Sequence, residues 1–343
     1  MEVSSLSGRF PAARIRLFDN PTKIQTTSSL TLKFQARNES SPNRVFILGL
    51  GFVGQFFARE MKNQGWEVSG SCTNSVKKKK LEDDMGLNIY LFNANEPEPE
   101  VIDVISHHTH LLISIPPILG AGDPTLQHEE LLKSRFLGSN LRWMSYLSST
   151  SVYGDCNGEW VDEEHELNPK SELAKARICA EKEWLKLGHD VGISTQIFRL
   201  GGIYGPGRSA VDTVMKQEQL SDTQKMRAHR SYTSRVHVAD IYQTLEASMI
   251  KPSSGRVYNV VDDNPAPRAE VFSYAQDLIE EKWGKQLKII SKESSESRSL
   301  KSRGEKRVCN DRIKKELGVK LMYEDYRSGL KSIVEDMNDI TFN

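Results

Sequence analysis

At 343 residues, with 38% hydrophobic and 27% charged side chains, the chain has the make-up of a globular protein able to bury a sizeable core. Its 46 basic and 46 acidic residues cancel, so no net field favours nucleic acid, and no apolar run reaches the length a membrane span needs. The four cysteines, Cys72, Cys156, Cys179 and Cys309, lack C-x-x-C spacing and histidine partners, which points to reduced thiols and to no metal centre.

Residues 1–40 differ in kind from the rest. They hold six Lys/Arg against three acids, and ten are Ser or Thr. No continuous apolar segment follows, so a secretory signal is not expected. A basic, hydroxyl-rich, acid-poor leader reads as an organelle transit peptide, the alternative being a disordered tail with no address. Hydroxyl residues outnumber arginines and no long Arg-faced helix is evident, which favours the chloroplast stroma over the mitochondrion. Without the leader, 40 basic and 43 acidic residues remain, a charge near −3.

Val45-Phe46-Ile47-Leu48 then reads as a strand covered on both faces. Gly49, Gly51 and Gly54 follow it in G-x-G-x-x-G spacing, ahead of an amphipathic helix over 56–62. This is the order in which a strand, a tight turn and a helix N-terminus hold a dinucleotide pyrophosphate, with Phe52 and Val53 opening the helix. Further strands are expected at 66–70, 88–92, 110–115, 143–147, 194–199 and 257–261, with helices at 124–136 and 171–187. The predicted fold is α/β, a Rossmann-type doubly wound parallel sheet. Its NAD(P)-binding domain spans 41–205. A smaller, mostly helical substrate lobe spans 206–343, with helices at 212–220, 238–250, 268–283 and 311–317. Strand 257–261 returns to the main sheet, and the Ser-rich stretch 291–306 reads as a loop.

The second strand decides between nicotinamide cofactors. An NAD-selective fold ends this strand on an acid that binds the ribose 2′-OH. Here it ends in Ser71-Cys72-Thr73-Asn74-Ser75, with Lys77-Lys78-Lys79-Lys80 after it. Thr73, Asn74 and Lys77 suit a 2′-phosphate, so NADP(H) is preferred over NAD(H). Lys79 and Lys80 read as the solvated start of a helix.

From the glycine loop onward, the motif order resembles the extended short-chain dehydrogenase/reductases, the family of NAD-dependent epimerases and dehydratases. The resemblance rests on Gly49-Leu50-Gly51-Phe52-Val53-Gly54, on Tyr146-Leu147-Ser148-Ser149-Thr150-Ser151-Val152-Tyr153-Gly154 and on Arg199-Leu200-Gly201-Gly202-Ile203-Tyr204-Gly205-Pro206-Gly207-Arg208. Arg235-Val236-His237-Val238-Ala239-Asp240-Ile241 and Val257-Tyr258-Asn259-Val260-Val261-Asp262-Asp263 complete it. It implies a substrate contact at Ser149 and a nicotinamide beside the loop at Tyr204–Pro206. It also extends the cofactor set to Ser114, Pro116, Ser148, Arg177, Tyr204 and Gly205.

The family's reactive Tyr and Lys lie four apart on one helical face. Aligned on Ser171 and Glu181, those places hold Leu173 and Arg177. Leucine has no proton to give, and Arg177 stays protonated, able to hold ribose hydroxyls but not to act as a base. Shifting the alignment to put Lys175 at the Lys place sets Ser171 at the Tyr place, and its hydroxyl cannot replace a phenol unaided. The chain is therefore similar to the atypical, YeeZ-like subgroup, for which Ile115-Pro116-Pro117 and Gly158-Glu159-Trp160-Val161-Asp162-Glu163 also speak.

Ser149, Tyr153 and Tyr204 are the catalytic candidates, the two tyrosines as substitute proton donors. His107, His108 and His110 precede the fourth strand and read as surface residues. His237 and Asp240 suit capping and lobe contacts, while Arg208 and Arg235 suit either a phosphorylated substrate or a plain surface role.

The leading function is an NAD(P)(H)-binding oxidoreductase or epimerase-like enzyme for a small anionic or sugar-derived substrate. The alternative is a non-catalytic dinucleotide binder that senses redox state. RNA binding is third, opposed by the net charge and the lack of a basic, aromatic stripe. No membrane partner is expected, and a homodimer is compatible with the sequence without being required by it.

Overall fold

The computed structural model describes residues 43–216, 232–284 and 305–337. The leader expected at 1–40, residues 291–304 of the expected loop and the end of the 212–220 helix lie outside these residues. The described residues all belong to one unit by their contacts.

β1 (Arg44–Leu48) shows why an uninterrupted apolar run was needed. Side chains alternate across a strand, so Val45 and Ile47 enter one core and Phe46 and Leu48 the other, all of them buried. Each such burial contributes roughly 1.5–3 kcal/mol. Around β1 stand β2 (Glu67–Cys72), β3 (Asn88–Leu91), β4 (His110–Ile113), β5 (Trp143–Ser149), β7 (Ser194–Leu200) and β10 (Val257–Val260). The seven strands run parallel in the order β10-β7-β5-β4-β1-β2-β3. The order reverses between β1 and β4, and beyond the carboxyl ends of those strands a doubly wound sheet has its ligand crevice.

Helices cover both faces. α1 (Phe52–Asn63) turns Val53, Phe57, Ala58 and Met61 onto the first core, while α3 (Pro99–Ser106), α4 (Glu129–Phe136) and α5 (Glu172–Val191) cover the second. The helix expected at 124–136 is broken. Asp123 Oδ1 takes the amides of Thr125 (2.9 Å) and Leu126 (3.4 Å), and a 3₁₀ turn, Leu126–His128, precedes α4. α2 (Ser75–Met85) starts on an Asn74 cap and ends on a left-handed Gly86. It buries only Leu81, so periodicity could not announce it.

Four short strands form two further pairs, β6 (Trp160–Val161) with β11 (Arg307–Val308) and β8 (Gly202–Tyr204) with β9 (Arg235–His237). α6 (Ala210–Met215), α8 (Arg268–Trp283) and α9 (Tyr326–Asp336) share their own core of Val211, Ala275, Ile279 and Leu330. α7 (Val238–Ile250), read from the sequence as part of the later lobe, instead lays Val238, Ile241 and Leu245 on the main sheet's first core. The helix expected at 311–317 is present, but its last five residues, Ile313–Leu317, are wound as a π-helix, closed by Gly318 at φ +76.

Two of the three histidines expected at the surface are buried. His107 is exposed, but His108 and His110 are covered, and His110 sits 4.9 Å from the Trp66 ring and 5.8 Å from that of Trp143. Burial pushes its pKa down to about 3, so it packs as a neutral ring.

Candidate cofactor and substrate site

The three glycines after β1 are glycine for different reasons. Gly49 has φ +100, and a Cβ there would lie 2.9 Å from Ile115 Cγ1. A Cβ on Gly54 would come 2.6 Å from the Gly49 carbonyl oxygen and 3.1 Å from Ile47 Cγ2, so the helix could not close on the strand. A Cβ on Gly51 would meet no atom of the described residues within 4 Å, and its φ of −77° suits any residue. Two glycines are demanded by the fold; the third faces open space in the crevice, where a dinucleotide pyrophosphate needs close backbone approach.

The first turn of α1 is equally bare. Gly51 offers no side-chain cap and no acid stands in that turn, so the amides of Phe52, Val53 and Gly54 keep a helix N-terminus's pull on anions. The turn is pinned by Ser71, whose buried Oγ accepts from Gly49 N at 3.1 Å and whose carbonyl accepts from Leu50 N at 2.8 Å. Sequence reasoning used Ser71 only as a missing acid. A small hydroxyl at the end of the second strand was the available signal.

Beyond Ser71, Thr73 is exposed and the Asn74 carboxamide oxygen is engaged, accepting from Lys77 N at 2.7 Å as the α2 cap. Asn74 therefore shapes this corner more than it offers an acceptor to a ligand. The first turn of α2 carries no acid, and Lys78 pairs loosely with Glu82 at 3.7 Å. Across the crevice Ser114 is half-buried and donates its amide to the Leu48 carbonyl at 2.9 Å, while Pro116 is exposed.

The β5 candidates divide. Ser148 turns away from the crevice: it is buried and donates to Glu181 Oε1 at 2.5 Å, so the cofactor role expected for its hydroxyl is not supported. Ser149, half-buried at the strand's carboxyl end, accepts from Ser151 N at 3.2 Å. Tyr153 is fully buried. Its hydroxyl donates to Asn259 Oδ1 at 2.7 Å and accepts from Arg199 Nη1 at 3.0 Å. Arg199 is in turn paired with the buried Glu181 at 2.8 Å. Burial lifts the Tyr153 phenol to about 12, against the pull of Arg199. A sealed, hydrogen-bonded phenol is a structural tie between β7, β10 and the turn after β5, and the expectation of a proton donor there is corrected.

On α5, Leu173 and Arg177 are both half-buried. Burial lowers the Arg177 pKa without removing its charge. Ser171 is the α5 cap, its Oγ accepting from Ala174 N at 3.3 Å.

Tyr204, the other substitute donor, lies in the core of α6, α8 and α9 rather than with Tyr153. Its hydroxyl reaches the Asp325 carbonyl at 3.4 Å and presses on Gly329, where a Cβ would lie 2.2 Å from it. Burial raises its pKa, with Asp262 and Asp240 adding to the shift. As with Tyr153, this setting binds elements together and does not favour proton transfer.

The Tyr204 loop does line a cavity of about 410 Å³, together with Arg208, Lys216, Arg235, Arg268 and Tyr326. Arg235, for which a phosphorylated substrate or a plain surface role is expected from the sequence, is buried and donates to the carbonyls of Thr233 (2.8 Å) and Ala266 (2.9 Å). His237 caps α7 through Nδ1, accepting from Ala239 N at 3.2 Å. Asp240 accepts from the amides of Met322 (2.6 Å) and Tyr323 (3.2 Å), tying down the segment before α9. Capping and lobe contacts are the roles expected for this pair.

Comparison with known proteins gives the same outline. The model of the NAD dependent epimerase/dehydratase family matches residues 130–261. Protein YeeZ of Escherichia coli (strain K12) is 30% identical over 295 residues, covering 82% of this chain and 97% of that one. A functionally unknown conserved protein from Silicibacter pomeroyi superposes with a TM-score of 0.68 at 35% identity, over 86% of this chain and 99% of that one. The UDP-glucose 4-epimerase of Thermotoga maritima, solved with UDP-glucose, shares the fold with a TM-score of 0.66 at 14% identity, over 85% and 97%.

Proposed function

This chain belongs to the NAD-dependent epimerase/dehydratase family, and we propose that it is an NADP(H)-using oxidoreductase of the chloroplast stroma that acts on a small anionic substrate. The observation that carries the cofactor half of this reading is Gly51. Nothing among the described residues requires it to be glycine, and it stands before an uncapped helix N-terminus. The preference for the 2′-phosphate follows from the acid-free end of β2, with Lys77 and Lys78 beside it.

A nicotinamide bound there would give or accept a hydride. The chain's own part is to hold both reactants. The amides after Gly51 seat the pyrophosphate, Arg177 offers a fixed charge to ribose hydroxyls, and Ser149 stands at the carboxyl end of a central strand. With Leu173 unable to donate and both tyrosines engaged elsewhere, the proton comes from water or from the substrate itself. The same observation favours a second reading, in which the protein binds the dinucleotide without turnover and reports its redox state.

Fluorescence titration with NADPH and NADH tests the first reading. Tighter NADPH binding, weakened in Lys77→Ala/Lys78→Ala while NADH binding holds, is the expected result. An NADH preference indifferent to both lysines would overturn the 2′-phosphate argument. Turnover of added carbonyl or sugar-derived substrates then separates enzyme from sensor.

A further inference from the structure

The first turns of α5 carry a cation that no described residue neutralises. α5 links the parallel strands β5 and β7, so it runs back against them and its N-terminus stands at the carboxyl end of the sheet. Glu181 marks the level of the strand end, since its Oε1 accepts from Ser148 Oγ at 2.5 Å. Arg177 lies four residues, about 6 Å, nearer the crevice on the same helical face. It is half-buried, and its guanidinium has no hydrogen-bond acceptor among the described residues. Burial and the Tyr146 phenol are what act on its charge, and no carboxylate is among them.

The residues around it offer no counter-ion. Tyr146 is fully buried, its ring stacked on that of Trp184 at 6.4 Å between centroids, and its hydroxyl has no partner. Burial raises its pKa, with Asp123 adding and Arg177 opposing, so the phenol keeps its proton and remains a donor. The two acids that act on this phenol are committed elsewhere. Asp123 spends Oδ1 on the amides of Thr125 and Leu126, and Oδ2 on Trp184 Nε1 at 2.9 Å. Glu181 spends Oε1 on Ser148 and both oxygens on Arg199. A half-buried charge left in this way is costly unless an anion from outside the chain joins it.

We propose that Arg177 seats a carboxylate of the substrate, which makes that substrate a hydroxy or oxo acid. Ribose hydroxyls can accept hydrogen bonds from Arg177 but cannot neutralise it, and its five N–H donors leave room for both. One guanidinium balances a monoanion, whereas a phosphate dianion would leave negative charge in a half-buried place. A planar carboxylate also matches the guanidinium fork. Calling the ligand a substrate rests on the function proposed above; the seat itself rests on the unpaired guanidinium and on the committed acids around it.

Glycolate titrated into NADPH-saturated protein, followed by NMR of the labelled acid, tests the proposal, with glycolamide as its uncharged isostere. Saturable glycolate binding is expected, about tenfold weaker in Arg177→Gln and intermediate in Arg177→Lys, which keeps the charge without the fork. The wild type should prefer glycolate to glycolamide by about tenfold, and Arg177→Gln should lose that preference, a change that a merely structural role would not produce. Inorganic phosphate at equal concentration should displace little glycolate. No glycolate binding by the wild type, undiminished binding in Arg177→Gln, or displacement by phosphate as effective as by glycolate would each overturn the proposal. If Arg177→Gln does not fold, the glycolate preference of the wild type and its reduction in Arg177→Lys decide the matter. Should NADPH itself fail to bind, the cofactor reading has failed, and the same titrations on the protein alone decide the seat.

Discussion

One methyl group placed at two positions separates the demands of the fold from those of the ligand. In Gly54→Ala the new carbon lies 2.6 Å from the Gly49 carbonyl oxygen and 3.1 Å from Ile47 Cγ2, on a buried helix face. Backbone cannot swing aside as a side chain can, so α1 must lift from β1, at about 1–3 kcal/mol or more for an overpacked site. In Gly51→Ala the same carbon meets nothing within 4 Å among the described residues, and φ −77° with ψ −160° is open to any residue. Exchanging glycine for alanine at a helix cap costs about 1 kcal/mol at most. The binding effects are ordered oppositely. The Gly51 methyl points into the space assigned to the pyrophosphate and should weaken NADPH at least a hundredfold, about 2.7 kcal/mol. Urea denaturation and fluorescence titration on both variants make the check. If Gly51→Ala keeps wild-type stability and also binds NADPH as tightly as the wild type, the open space is not a pyrophosphate cradle.

Tyr153→Phe should lower stability by about 1–3 kcal/mol, because buried Arg199 and Asn259 each lose a partner; unchanged denaturation would show that the Arg199–Glu181 pair needs no help. Asp240, raised to about 6 chiefly by burial, holds its proton in the folded chain after the unfolded chain has released it. Its contribution is therefore present below about pH 4 and lost as pH rises through about 6. Stability should fall across that window by about 1–3 kcal/mol, and Asp240→Asn should flatten the slope; an equal slope in the variant refutes the assignment. Leu173→Tyr with Arg177→Lys should fold and bind NADPH within about twofold of wild type, since neither residue belongs to the phosphate cradle and lysine keeps the charge offered to the ribose hydroxyls. Collapse of the fold would mark Leu173 as a packing residue. A fluorescent reporter carrying residues 1–45 should enter chloroplasts, and a cytosolic signal from it would refute the leader assignment.

The sheet and its crevice were legible along the chain because their signals are local. Val45 to Leu48 is apolar at every position since both faces of β1 are covered, and Gly49, Gly51 and Gly54 take their meaning from the apolar run before them and the amphipathic segment after them. β3 and β10 were located within a residue or two for the same reason. α2 showed only as a solvated helix start at Lys79 and Lys80, because lysines cover it and a single leucine anchors it, while β6, β8, β9 and β11 are too short to show a period. Apart from the capping and lobe contacts of His237 and Asp240, the roles of the polar side chains were not legible. Ser148 and Ser149 are neighbours of one type, and the pleat sends the first to Glu181 and leaves the second at the strand's end. Tyr153 and Tyr204 both stand in motifs that suggest a site, yet each hydroxyl is claimed by a distant segment, Asn259 in one case and Asp325 in the other. Periodicity and turn chemistry are written in consecutive residues. Which partner a covered hydroxyl or guanidinium finds depends on segments far apart in the chain, 121 positions for Tyr204 and 149 for Arg307, and packing alone decides it.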